Sequence, residues 1–205
     1  MIKILNLYAG LGGNRKLWVG DIEVTAVENN QEIAKIYQDF FPNDKVIIAD
    51  AHQYLLDHYK EFDFIWSSPP CPTHSRMNFS FNNRKRKYPD MKLYEEIIFL
   101  KHWFKGKWIV ENVISYYDFL IEPQVVCKHY FWGNFKIKGF DMKRTKVRND
   151  VGQTVDKKMK DKGIIISNFR NYKGDKRTLI NNAIEPELGL HIFNCAFKIE
   201  QKRLE

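Results

Sequence analysis

Cysteine is scarce in this sequence. Cys71, Cys127 and Cys195 stand far apart among 205 residues, and their number is odd. That pattern excludes a disulfide framework and supplies no zinc-ligand spacing, so no metal is expected and a reducing cytoplasmic setting fits. At least one thiol is then free for chemistry. Long apolar runs are missing too. None approaches the roughly 20 residues of a membrane-spanning helix, so no membrane partner is expected. The opening Met1-Ile2-Lys3-Ile4-Leu5-Asn6-Leu7 reads as a strand and lacks the layout of a signal peptide. Internal repeats and low-complexity tracts are absent.

Apolar residues make up 44% and aromatics 15%. This suffices for a sizeable core and is incompatible with a largely disordered chain. The length suits one compact catalytic domain with a small appendage. Net charge is +8 and is unevenly placed: Lys138 to Thr178 holds 13 Lys/Arg against 5 Asp/Glu, while the rest of the chain is neutral. A polyanionic partner accounts for such a stretch, and so does a solvated lysine-rich surface.

Apolar runs of strand length occur at Ile2–Tyr8, Val24–Glu28, Val46–Ala49, Phe62–Ser67 and Trp108–Glu111. Helix-like segments lie near Asn14–Val19, Gln31–Phe40, Ala51–Tyr59 and Asp90–Phe104. Alternation at this spacing predicts an α/β fold with a parallel, doubly wound sheet, whose ligands bind beyond the carboxyl ends of the strands. From Lys138 the pattern degrades into a small lobe or set of loops, with one short strand candidate at Ile164–Ile166. From Thr178 an amphipathic segment returns to pack on the sheet. The expected organisation is a catalytic and cofactor-binding domain (1–137), a basic segment (138–178) and a helical C-terminal segment (179–205).

The first strand runs into Tyr8-Ala9-Gly10-Leu11-Gly12-Gly13 and then an expected helix at Asn14. Glycines there let backbone amides approach a ligand, and a helix N-terminus favours an anionic group. A dinucleotide pyrophosphate or the carboxylate of a methionine-type cofactor would each suit. The second strand ends in Glu28-Asn29, where a carboxylate can accept both hydroxyls of a ribose. The third ends in Asp50-Ala51. That Asp is a candidate adenine contact or simply a helix cap. Three coordinated strand ends point to a nucleoside-containing cofactor.

The fourth strand enters Ser68-Pro69-Pro70-Cys71-Pro72-Thr73-His74-Ser75. Three prolines restrain the backbone around one cysteine in a polar turn, which favours a nucleophile over an inert buried thiol. The fifth strand ends in Glu111-Asn112-Val113, placing a carboxylic acid near it. His74 is expected either at the surface or lowering the Cys71 pKa. Tyr130-Phe131-Trp132 reads as core packing.

These motifs, in this order, resemble those of the cytosine-C5 methyltransferase family. Leu7–Gly13 resembles its first cofactor motif, and Glu28 and Asp50 match ribose and adenine contacts. Pro69-Pro70-Cys71 matches its nucleophile motif, and Glu111-Asn112-Val113 the one that supplies the acid. Asn181-Asn182-Ala183-Ile184-Glu185-Pro186 resembles its closing motif, which reaches back to the cofactor. The resemblance implies a Rossmann-like S-adenosyl-L-methionine-dependent methyltransferase sheet with a small basic target-recognition lobe.

It also implies Cys71, Glu111 and Asn112 as catalytic residues. Tyr8, Ala9, Gly10, Leu11, Gly12, Gly13, Glu28, Asn29, Asp50, Ala51, Pro70, Asn182 and Ile184 would bind the cofactor. Residues 76–88 would form the loop that closes over flipped DNA. Ser75, Arg76, Asn78, Arg84, Lys85, Arg86, Lys128, Arg144 and Arg148 are its candidate nucleic-acid contacts. The chain departs from the family at Asn6, where Asp is common, and at Pro72, which replaces Gln. It departs again near Gln124 and Lys128, where Gln and two arginines are expected. The basic segment is short for a target-recognition region.

The implied activity is methylation of cytosine C5 in DNA through a Cys71–C6 adduct. RNA as substrate, or a catalytically weak DNA-binding relative, are the alternatives. DNA is the implied partner, a companion restriction nuclease is conceivable, and a monomer is expected with a dimer as the alternative.

Overall fold

A computed structural model describes residues 1–76, 87–140, 154–164 and 172–198. Five parallel strands come first: β1 (Ile2–Leu7), β2 (Ile22–Val27), β3 (Lys45–Ile47), β4 (Phe64–Ser67) and β5 (Lys107–Val113). An antiparallel hairpin of β6 (Gln124–Val126) and β7 (His129–Gly133) completes the sheet against β5. The strand order is β3-β2-β1-β4-β5-β7-β6. The order reverses between β1 and β4, so the crevice at their carboxyl ends is where a ligand has room.

Three helices cross between the parallel strands: α1 (Gln31–Phe40), α2 (Ala51–His58) and α3 (Lys92–Trp103). Asn30 caps α1 by accepting from the amides of Glu32 and Ile33. Helices α4 (Val155–Asp161), α5 (Lys176–Asn182) and α6 (Pro186–Phe197) follow the hairpin.

Successive strand residues point to opposite faces, and the sequence alternates accordingly. Leu5, Leu7, Ile65, Trp108 and Val110 pack with Leu55, Leu93, Ile97 and Leu100 of α2 and α3. On the other face, Ile4, Phe64, Trp66 and Ile109 pack with Trp18 and with Leu188, Ile192 and Phe193 of α6. The Trp18 ring stacks on Phe193 with centroids 5.0 Å apart, and its Nε1 donates to Gly189 O at 3.2 Å. The amphipathic C-terminal segment thus returns to the sheet, as its pattern predicts.

One sequence expectation is corrected, one falls mostly outside the described residues, and one element was not expected. No helix forms at Asn14–Val19. Arg15 N bonds Gly12 O at 3.1 Å and Trp18 N bonds Arg15 O at 3.0 Å, a run of tight turns that lets Trp18 reach α6. The helix-terminus argument for an anion site there falls with it. Ile164 is buried in an apolar cluster without strand pairing, while residues 165–166 lie outside the described residues. The hairpin β6–β7 was not expected, although Phe131 and Trp132 are core residues as read. Its two-residue turn, Cys127-Lys128, has φ of 47° and 69°. This is the twist that tight hairpins favour, reached here without glycine.

Part of the basic stretch belongs to the packing around the glycine turn. Met159 and Ile164 share a cluster with Leu11, Ile36, Leu179 and Ile180. Lys158 is buried and donates to Asn181 Oδ1 at 2.8 Å. Lys162 donates to Ala183 O and lies 3.3 Å from Glu185. These two lysines hold the closing motif.

Candidate active site

The glycine turn is tied down from several sides. Ala9 N bonds Val27 O at 3.0 Å, and Gly10 N donates to Glu28 Oε2 at 3.0 Å. The other oxygen, Glu28 Oε1, accepts from Asn30 N at 2.9 Å. Each carboxylate oxygen keeps lone-pair capacity for a further donor such as a ribose hydroxyl. Asn29, beside it, is exposed. A Cβ on Gly13 would stand 2.3 Å from Ile184 O, so the turn and the closing motif touch through backbone, which only glycine permits. Gly189 of α6 meets Asn14 as closely, with Asn14 O 2.4 Å from a Cβ built there. Asn182, at the end of α5, is exposed, whereas Ile184 is buried. Leu11 and Ala9 direct their side chains into apolar clusters.

Asp50 performs the role of cap: its Oδ1 accepts from Gln53 N at 2.9 Å. It stays exposed at the ligand edge of the sheet, while Ala51 is buried behind it. Asn6 accepts from Asn14 Nδ2 at 2.8 Å. Its own Nδ2 lies toward the Tyr37 hydroxyl yet meets no acceptor, the buried orphan donor among the described residues.

Tyr8 (φ 54°) turns away from the turn and donates to Glu96 Oε1 at 2.6 Å. Glu96, on α3, is wholly buried. Ser67 Oγ donates to its Oε2 at 2.6 Å, and His52 Nδ1 lies 3.0 Å from Oε1. One carboxylate therefore joins the ends of β1 and β4 to the start of α2. The hydrogen bond that His52 gives to Glu96 raises the His52 pKa. Burial, then the charge of Glu96, raises that of Tyr8.

The nucleophile turn is held from β5. Asn112 Nδ2 donates to Pro69 O at 3.0 Å, so this residue supports the loop that bears Cys71. Pro70 is exposed and Cys71 half-buried. The Cys71 carbonyl accepts from the amides of His74 and Ser75, each at 2.9 Å. Burial first, and the charge of Glu111 second, push the thiol above its ordinary value. Both expectations for His74 are corrected. It is 1% exposed, bonds the Tyr117 hydroxyl at 2.5 Å through Nδ1, and burial lowers its pKa. A neutral, buried imidazole cannot lower the pKa of the neighbouring thiol by charge. Ser75 bridges to Ser115, and Arg76, exposed, donates to Ser115 O at 3.4 Å. Lys128 is exposed in the β6–β7 turn, at the same edge of the sheet. Asn78, Arg84, Lys85, Arg86, Arg144 and Arg148 lie outside the described residues.

A family model for C-5 cytosine-specific DNA methylase matches residues 2–116, which include the glycine turn, Glu28, Asp50, Cys71, Glu111 and Asn112. The chain belongs to this family. No curated protein matches it. Among solved structures it is similar to a mutant DNMT2 from Spodoptera frugiperda (28% identity, TM-score 0.41, covering 55% of this chain and 36% of that one). It is also similar to a SAM-dependent methyltransferase from Agrobacterium tumefaciens (14%, TM-score 0.40, 58% and 40%). A third is the methyltransferase EhMeth from Entamoeba histolytica (15%, TM-score 0.36, 55% and 38%). The chain thus spans little more than a third of the length of these proteins.

S-adenosyl-L-methionine is the cofactor of this methylase fold. The residues present fit it. Glu28 retains acceptor capacity at the end of β2, and Asp50 is exposed at the end of the third strand. Among the described residues no helix is long and apolar enough to cross a membrane, and no cluster of potential metal ligands occurs.

His129 is a neighbour of the candidate acid that sequence reading missed. It opens β7, and its Nδ1 lies 2.7 Å from Glu111 Oε1. The signal was a period-two run, His129-Tyr130-Phe131-Trp132, directly after a turn. Glu96 was missed as well, because nothing in a helical pattern distinguishes a buried carboxylate from an exposed one.

Proposed function

We propose that this chain transfers a methyl group from S-adenosyl-L-methionine to C5 of cytosine in DNA, with Cys71 adding to C6 of a base flipped out of the duplex. The observation that carries the reading is the bond from Asn112 to Pro69. It couples the strand end bearing Glu111 to the turn bearing Cys71, so acid and nucleophile are held as one unit.

The chemistry needs both. Cytosine C5 is a weak nucleophile, and a thiolate adding to C6 makes it enamine-like. Glu111 gives a proton or hydrogen bond to ring N3, where the displaced electron pair accumulates. The bound cofactor supplies an electrophilic methyl group on sulfonium. Glu28 and Asp50 would hold its ribose and adenine, and the Gly10–Gly13 backbone would lie against the rest. Loss of the C5 proton and of Cys71 then releases 5-methylcytosine. A base stacked in a duplex cannot reach Cys71, so extrusion is required.

Substrate contact falls to Ser75, Arg76 and Lys128, with Asn78, Arg84, Lys85, Arg86, Arg144 and Arg148. Phosphate contacts by such residues make binding weaken steeply with salt.

Transfer of tritium from labelled cofactor to matched DNA and RNA tests the reading. Labelled DNA is expected, with 5-methylcytosine in the digest and none from Cys71→Ser. Labelled RNA with unlabelled DNA overturns the substrate, and an active Cys71→Ser overturns the mechanism.

A further inference from the structure

His129 and Glu111 sit diagonally on one face of the β5–β7 pair. Glu111 lies opposite Phe131, and His129 is two residues further along β7. Diagonal neighbours on antiparallel strands are within reach of long side chains. The pair is well shielded: the Glu111 side chain is 9% exposed and that of His129 24%. Three charged groups face the imidazole. Glu111 comes from β5, Glu185 from the turn before α6, and Lys162 from the end of α4. Lys162 and Glu185 are themselves paired at 3.3 Å. Glu111 in turn acts on Cys71. A chain of charge therefore runs from nucleophile to acid to imidazole.

We infer that His129, in its imidazolium form, is a positioning residue that holds Glu111 Oε1 and balances the carboxylate formed when Glu111 protonates cytosine N3. The inference rests on the proposed cytosine-C5 chemistry and adds a residue to it. As the Cys71 thiolate forms the S–C6 bond, the electron pair of the C5–C6 double bond shifts through the ring toward N3. The proton on Glu111 Oε2 moves to N3. The negative charge that began on sulfur ends on Glu111, where Nδ1–H of His129 donates to Oε1. Ionising Cys71 and protonating Glu111 leaves the net charge of those two residues unchanged, and His129 holds the carboxylate that reforms as N3 takes the proton. Burial, the largest influence, pulls the imidazole pKa down, but the hydrogen bond and charge of Glu111 with the charge of Glu185 outweigh it, and the group titrates above its ordinary value. The pairing with Glu111 thus favours the imidazolium form.

The test compares wild type, His129→Gln and His129→Arg in two assays across pH. One is methyl transfer to DNA. The other is covalent trapping on DNA carrying 5-fluorocytosine, in which fluorine at C5 cannot leave as the proton does. Calorimetric binding of S-adenosylhomocysteine checks that each variant is folded. Wild-type kcat is expected to fall as pH rises through the His129 pKa. His129→Gln should lower kcat on the order of ten- to a hundredfold with that alkaline fall removed. His129→Arg, charged at every pH used, should recover part of the rate and also lack the fall. If His129→Gln keeps the wild-type rate and pH profile while wild type traps DNA, the inference fails and the cytosine chemistry stands. If wild type neither traps nor methylates, both fail together.

Discussion

Arg15 grips Asp44 with two parallel bonds, Nε to Oδ2 and Nη2 to Oδ1, each 3.0 Å, in a shielded setting. Tyr37 adds its hydroxyl to Asp44 Oδ2 at 2.9 Å. Arg15 also donates to Trp18 O and lies over the Phe41 ring. The segment where the sequence suggested a helix is thus pinned by a charge pair to the α1–β3 side of the sheet. Removing one partner leaves the other charge poorly solvated, so Asp44→Ala should cost about 3 kcal/mol. A lower urea midpoint would show it. Arg15→Lys should recover little, since an ammonium cannot make the paired bonds. Full recovery would show that charge alone matters.

Gly13→Ala places a methyl 2.3 Å from Ile184 O. The closing motif must then move off the glycine turn. Affinity for S-adenosylhomocysteine should fall at least tenfold by calorimetry, with a smaller loss of stability, because the displaced elements are the ones proposed to enclose the cofactor. Unchanged affinity would remove the closing motif from the cofactor site.

The thiol and the acid are electrostatically opposed. Glu111→Gln takes away a charge that raises the Cys71 pKa. Alkylation of Cys71 by iodoacetamide, followed by peptide mass at fixed pH, should therefore speed up in this variant. Methyl transfer should slow by a factor on the order of a hundred or more. Opposite movement of the two rates is the signature; parallel loss would mean that the turn had collapsed.

Stability should fall on both sides of the ordinary imidazole range, near 6.5. His52, raised chiefly by its bond to Glu96, and His129 contribute stability that is complete below that value and lost as pH rises through their folded values. His74, lowered by burial, contributes stability that is complete above it and lost as pH falls through its folded value. His74→Asn should flatten the acid limb of urea midpoint against pH, and His52→Asn part of the alkaline limb. An unchanged acid limb in His74→Asn would deny the buried neutral imidazole.

The sequence by itself determined the α/β alternation, the strand ends and the residues set upon them. Helix α1 is read correctly at Gln31–Phe40, and Cys71, Glu111, Glu28 and Asp50 all reach one edge of the sheet. Periodicity and turn residues are local, and a parallel sheet places every strand end on the same side. What only the tertiary structure decided are contacts between residues far apart in the chain. Asn14–Val19 gave up a helix because Arg15 and Trp18 gain more from Asp44 and Phe193 than from local turns. Glu96 became a buried junction because α3 lies over β1 and β4. Glu111 met His129 because β7 runs antiparallel to β5, a pairing that no local pattern encodes.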